Sequence, residues 1–207
     1  MLGITALAIV AVALVSYFLG CCNSSIIVSK YLLGDDVRNH GSGNAGLTNF
    51  YRVYGKKNVV LVILIDVLKG LISCLIGGAI LGSLAGWPVL GRYIAGLFCL
   101  LGHVFPCMFG FRGGKGILSG GAIVLMLDWR IALVVWGLFL ILVAVSRMVS
   151  LGSMAAAIAF PIMTWVIYRS WILLAISVCI SILILWRHKD NAKRIAHGEE
   201  NKLEFHE

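Results

Sequence analysis

Residues 3–22 contain no charged side chain, and long apolar runs return along the rest of the chain. A helix of about 20 apolar residues can cross a bilayer, because it satisfies its own backbone hydrogen bonds and presents only side chains to lipid. On that rule the runs predict an all-α, polytopic membrane protein with about seven transmembrane helices, at approximately 3–22, 58–81, 91–106, 117–128, 131–146, 150–167 and 171–186. The fourth and fifth are short and are divided only by Asp128-Trp129-Arg130. Trp87, Trp129, Trp171 and Trp186 fall near proposed ends, where an amphipathic indole prefers the interface. Composition agrees: 60% of residues are hydrophobic, 13% are charged, and the mean hydropathy is +0.99, far from the soluble norm. No Pro/Ser-rich linker or low-complexity tract separates a second unit, so 1–207 is expected to be a single domain.

Phe18-Leu19-Gly20-Cys21 faintly resembles a lipoprotein cleavage site, but Met1-Leu2-Gly3-Ile4-Thr5 lacks the basic stretch of a signal peptide, so the first run is expected to stay as a span. Cys21, Cys22, Cys74, Cys99, Cys107 and Cys179 lie mostly in apolar runs without a C-x-x-C pair or zinc-like spacing. They read as small hydrophobes, and no metal site is expected.

Basic residues resist translocation and accumulate on the cytoplasmic side. Segment 23–57 holds Lys30, Arg38, Arg52, Lys56 and Lys57; loop 107–116 holds Arg112 and Lys115; Arg147 follows; the tail holds Arg187, Lys189, Lys193, Arg194 and Lys202. The opposite connections carry only Arg92, Arg130 and Arg169. This asymmetry predicts an outside N-terminus and a cytoplasmic C-terminus, with the segments 34–57, 102–119 and 187–202 on the cytoplasmic face. The net charge of +8 also suits an anionic leaflet.

The first of these segments reads Gly41-Ser42-Gly43-Asn44-Ala45-Gly46-Leu47-Thr48-Asn49, followed by Arg52. Near-alternate glycines can turn backbone N–H groups inward around an anion. Ser42, Asn44, Thr48 and Asn49 can add neutral donors, and Arg52 a bidentate charged pair. Alone, the same run could be an ordinary flexible turn. The second segment pairs Gly102-His103-Val104-Phe105-Pro106 with Phe111-Arg112-Gly113-Gly114-Lys115-Gly116. It is not a Walker A loop, which needs glycine at Phe109 and a hydroxyl residue at Gly116. What remains is a glycine-lined lysine beside an arginine, able to hold phosphate without a metal.

Asp66 and Lys69 stand three residues apart in an apolar run and therefore on one helix face. A charge there is expensive unless it meets a partner or a cavity, so the pair either faces the bundle interior or lies nearer the membrane boundary than drawn. The last run ends in Arg187-His188-Lys189-Asp190-Asn191, with Arg194, Glu199 and Glu200 following. By itself that is a charged juxtamembrane stop.

Taken together, these segments resemble the bacterial membrane family of glycerol-3-phosphate acyltransferases that use acyl phosphate as donor. The resemblance runs in consistent order from about residue 15 to 202. It rests on Gly41 to Asn44, Thr48-Asn49 and Arg52, on Gly102-His103 and Phe105-Pro106, on Phe111 to Gly116, and on His188, Asn191, Arg194 and Glu200, with Asp66-x-x-Lys69-Gly70 and Val149-Ser150-Leu151-Gly152-Ser153 beside them. The chain departs from the family pattern at Ala45 and Leu47, at Ile117-Leu118-Ser119, and at Cys21-Cys22-Asn23.

The resemblance implies acyl transfer from acyl phosphate to glycerol 3-phosphate, giving lysophosphatidate and phosphate, at the cytoplasmic face of the bacterial inner membrane. His103, His188 and Lys115 are the candidate catalytic residues. Either histidine, or the acceptor's own phosphate, is the candidate base. Ser42, Gly43, Asn44, Thr48, Asn49, Arg52, Lys69, Arg112, Gly113, Gly114, Ser150, Asn191 and Glu200 are the candidate substrate- and phosphate-binding residues, helped by backbone N–H groups of both glycine loops. His40, His197 and His206 read as solvated. No cofactor and no nucleic-acid partner is expected, since dinucleotide, metal and aromatic-interleaved basic motifs are missing from the sequence. The competing reading is a transporter for a small organic phosphate, with Asp66 and Lys69 lining a path.

Overall fold

The computed structural model describes residues 2–203, and among these every regular element is helical. The helices are α1 (Leu2–Cys21), α2 (Ser24–Ile27), α3 (Leu47–Tyr54), α4 (Val59–Ala85), α5 (Pro88–Val104), α6 (Ile117–Leu127), α7 (Trp129–Ser146), α8 (Val149–Tyr168), α9 (Trp171–Arg187) and α10 (Lys189–Ala196). Each predicted apolar run is one of these helices. Length and composition make α1, α4, α5, α7 and α8 able to cross a membrane; α9 and α10, bent by 57° at His188, add a sixth crossing if counted as one broken span. The eleven-residue α6 is too short by the same measure, at about 1.5 Å per residue against a core of about 30 Å. His206 lies outside the described residues.

The chain forms two compact units, one ending at Leu127 and one beginning at Asp128. In the first, α1, α4 and α5 pack on one another and α6 lies against α4. Glycines permit this closeness: a Cβ on Gly102 would strike the backbone of Tyr17 and Cys21, and one on Gly77 the backbone of Gly91. Such small-residue contacts hold helices together in lipid, where apolar burial gives little preference. Ile4, Leu7, Leu64 and Leu75 are exposed on the outward sides of α1 and α4, as lipid-facing residues should be.

The segment between α1 and α4 has a small core of its own. Ile26, Val28, Val37, Ala45, Phe50 and Val62 are fully buried together. Its amphipathic α3 inserts Phe50 into that cluster and leaves Thr48 and Arg52 exposed. This segment is therefore a scaffold rather than a free turn.

In the second unit α8 packs between α7 and α9, and α10 returns onto both α8 and α9. The divide expected at Asp128-Trp129-Arg130 is a single capping residue, Asp128, with Trp129 and Arg130 already in α7. Asp128 accepts from the Arg130 backbone N–H at 2.9 Å, from Arg130 Nη2 at 2.8 Å and from the Tyr168 hydroxyl at 2.9 Å. Those bonds, the guanidinium's first, hold its carboxyl down at about 2.

Candidate active site

Three of the predicted site residues of the first unit, Lys69, Gly113 and Gly114, meet His103 at the end of α5. His103 sits in its last turn, 2% exposed, and the orphan carbonyls of that turn are met by the second glycine loop. Gly113 N–H donates to the Val104 carbonyl at 3.1 Å and Gly114 N–H to the His103 carbonyl at 3.2 Å. A Cβ on Gly114 would clash with both Nε2 of His103 and the carbonyl of Ala45. Gly114 is thus where the two glycine loops meet the imidazole.

The loops are tied together from the side. Arg38 donates through Nη1 to the carbonyls of Phe109 at 2.7 Å and Arg112 at 3.2 Å, while Asp36 accepts from its Nε and Nη2. That pair holds the Asp36 carboxyl below the ordinary range, the Arg38 hydrogen bond outweighing the cost of partial burial. Asn23 caps α2 by accepting from Ile26 N–H at 3.2 Å, and its Nδ2 donates to the Ala45 carbonyl at 3.1 Å. Asp36, Arg38 and Asn23 had no place among the expected site residues. An Asp-x-Arg pair and an asparagine directly after an apolar run were the available signals.

Asn49 is 2% exposed and works inside the first loop: its Oδ1 accepts from Ser42 N–H at 2.9 Å, and its Nδ2 donates to the carbonyls of Val37 and His40. The N–H groups of Gly43 and Gly46 are likewise spent on His40 and Asn44 carbonyls. The expected backbone cradle is accordingly reduced, because the N–H groups of Ser42, Gly43, Gly46, Gly113 and Gly114 all shape the loops. Side-chain charge is what these loops offer an anion. Ser42, Thr48, Arg52 and Arg112 are exposed, Lys115 is half-buried, and Asn44 is partly covered, with its Oδ1 buried and unpartnered.

Lys69 and Asp66 face the interior, at 4% and 1% exposure. The Lys69 ammonium lies 2.8 Å from Asp66 Oδ1 and 2.8 Å from His103 Nδ1, and it also donates to the carbonyls of Cys22 at 3.1 Å and Gly20 at 3.3 Å. Of the two alternatives the sequence left open, the interior-facing pair is the one found. It joins α4 to the end of α1 and to His103.

In the second unit, Glu200 gathers the expected tail residues. It accepts from Ser150 Oγ at 2.8 Å, Asn191 Nδ2 at 2.6 Å and Arg194 Nε at 3.0 Å. Burial alone would raise its carboxyl, but these donors outweigh burial and hold it below the usual range. The Leu203 N–H adds a bond of 2.8 Å to the Arg147 carbonyl. His188 closes α9 and is 2% exposed; its Nδ1 lies 2.8 Å from the Ile184 carbonyl, which can only accept, so Nδ1 is the donor. His40 is exposed and paired with Asp35 at 3.0 Å, and His197 is exposed too. Among the described residues no three of His, Cys, Asp and Glu gather as metal ligands.

Residues 10–198, spanning both units, match the family model described as glycerol-3-phosphate acyltransferase. A glycerol-3-phosphate acyltransferase of Thermosynechococcus vestitus is 39% identical over 204 residues, covering 96% of this chain and 97% of the relative. One of Finegoldia magna is 37% identical, covering 94% and 96%. The crystal structure of PlsY (YgiH), an integral membrane glycerol 3-phosphate acyltransferase, in its glycerol 3-phosphate form superposes with a TM-score of 0.85 at 33% identity, over 95% of this chain and 96% of that one. Its lysophosphatidic acid form gives 0.80 at 32%, over 95% of each chain. With the family model matching nearly its whole length, this chain belongs to the glycerol-3-phosphate acyltransferase family.

Proposed function

We propose that the protein transfers a fatty acyl group from acyl phosphate to a hydroxyl of glycerol 3-phosphate, releasing lysophosphatidate and inorganic phosphate. The observation that carries this reading is the convergence of two basic glycine loops on a buried histidine, in a chain 33% identical to an enzyme solved in glycerol 3-phosphate and lysophosphatidic acid forms. An acyl phosphate is a mixed anhydride whose leaving group is already anionic. The hydroxyl oxygen attacks the acyl carbonyl, the new ester C–O bond forms, the bond between carbonyl carbon and phosphate oxygen breaks, and the hydroxyl proton passes to a base. Such a reaction needs positive charge, orientation and a proton acceptor, with no covalent enzyme intermediate and no cofactor.

Arg52, Lys115 and Ser42 are the side chains we assign to the phosphates, with Arg112 and Thr48 at the exposed rim and Asn44 beside them. Gly114 serves by letting the two loops meet, Gly113 by letting the second loop close on the end of α5, and Gly43 by taking a left-handed turn within the first loop. His188 is the side chain we assign as candidate base, its Nδ1 held by the Ile184 carbonyl. Ser150, Asn191 and Glu200 hold the tail in shape. The excess of Lys and Arg in these loops supports a site on the cytoplasmic face of a bacterial inner membrane, and we read 1–207 as one integral-membrane domain. The apolar donor then reaches its site from the bilayer, its chain gaining about 0.8 kcal/mol per buried methylene, while glycerol 3-phosphate arrives from water.

Purified protein in lipid nanodiscs, given palmitoyl phosphate, should release phosphate only when glycerol 3-phosphate is added, with equal lysophosphatidate by mass spectrometry. Acyl transfer from palmitoyl coenzyme A but none from palmitoyl phosphate would refute the donor assignment, and uptake of glycerol 3-phosphate into empty vesicles without chemistry would point to transport.

A further inference from the structure

Lys69 and Asp66 are the most deeply buried charged pair in the first unit, and neither reaches the exposed rim where Arg52 and Ser42 lie. Their contacts dictate something about His103. An ammonium has three N–H donors and no lone pair, so a ring nitrogen 2.8 Å from Lys69 Nζ must be the acceptor. Asp66, 2.8 Å away on the same helix, is the counter-ion of that ammonium, and the carbonyls of Cys22 and Gly20 accept from it. Nδ1 of His103 is 3.7 Å from Asp66, too long for a direct hydrogen bond that would place the proton on Nδ1 instead. A neutral imidazole accepting at Nδ1 carries its one proton on Nε2, and Nε2 faces Gly114, the point on the second glycine loop that the Ala45 carbonyl of the first also approaches.

We propose that Asp66 and Lys69 lock His103 in the Nε2–H tautomer, so that the histidine presents a fixed hydrogen-bond donor to the glycine loops and takes no proton during acyl transfer. This deepens the function proposed above and rests on it for its kinetic half. It separates the two histidines by surroundings alone. His188 donates from Nδ1 to the Ile184 carbonyl, whereas His103 accepts at Nδ1 from Lys69. Asp66 and Lys69 are positioning residues: they act through the ring.

Nitrogen-15 NMR on histidine-labelled protein in nanodiscs, with the His103 signals assigned by their loss in His103→Gln, reads the tautomer without any substrate. The expected spectrum shows Nδ1 as an unprotonated, hydrogen-bonded nitrogen and Nε2 as a protonated one. In Asp66→Asn/Lys69→Met, which removes both charges together, the His103 ring should become a tautomer mixture. A protonated Nδ1 in the unaltered protein, or an unchanged spectrum in the double variant, overturns the lock. Kinetically, glutamine retains an N–H near the position of Nε2, so His103→Gln should keep kcat within about ten-fold while His103→Ala loses about a hundred-fold. Equal losses of a hundred-fold or more in both variants would make His103 a base and overturn the proposal. Failure of acyl transfer in the unaltered protein would sink the proposed function while the NMR result still decides the lock.

Discussion

Gly114 is constrained from two sides at once, by the imidazole of His103 and by the Ala45 carbonyl. A single methyl there has to push the second glycine loop off the first. Gly114→Ala should therefore lower turnover by about a hundred-fold or more, by displacing groups that need placement to within about 0.5 Å, while helix content by circular dichroism is unchanged. Activity close to that of the unaltered protein would show that the loops do not meet there. Much at this scale was legible in the sequence: Gly113, Gly114, His103 and Lys69 do come together. Their jobs were less so. Asn49 carries the amide expected of an anion ligand, yet its partners are backbone groups of the same loop, and no spacing rule distinguishes the two. Lys69 finds His103 34 positions away, a distance in sequence over which local patterns carry no information.

Elements were read well where lipid or a single cap decides them. Seven apolar runs are seven helices, and Asp128 divides α6 from α7 because its carboxylate takes the N–H of Arg130, in the first turn of α7. The short α2 and the π turn at Val28–Leu32 were invisible, because Ser24, Ser25 and Ser29 are buried in a segment whose composition looks like a loop. The tail is an element held by one carboxylate. Since the Glu200 carboxyl lies below its ordinary range, the stability it contributes is present above the unfolded value of about 4.3 and is lost as pH falls through the lower folded value. Glu200→Gln should raise hydrogen exchange across residues 189–203 at neutral pH by up to about ten-fold, the half-exposed Arg194 partner being screened by water. The unaltered tail should loosen likewise on acidification, after correction for intrinsic exchange. Identical protection in the variant would show that the tail is held by α10 alone.

For the whole molecule, the family match across residues 10–198 takes in residues of both units. Membrane orientation is the feature carried by charge alone. If the basic loops face the cytoplasm, a cysteine at Lys202 should resist an impermeant maleimide added to intact cells and react in inverted vesicles, and a cysteine at Arg130 should do the opposite. The reverse labelling would move the active site to the other face. Crossing number was the less legible part, because an eleven-residue α6 reads as a short span in sequence while its length supports only part of one. At this scale the central claim is that charge on the glycine loops performs the chemistry. The most direct measurement is acceptor-dependent turnover of palmitoyl phosphate by Arg52→Ala and Lys115→Ala, beside their thermal unfolding in the same detergent. Losses of at least about a hundred-fold with unfolding midpoints within a few degrees of the unaltered protein are predicted; turnover unchanged in both would contradict the account.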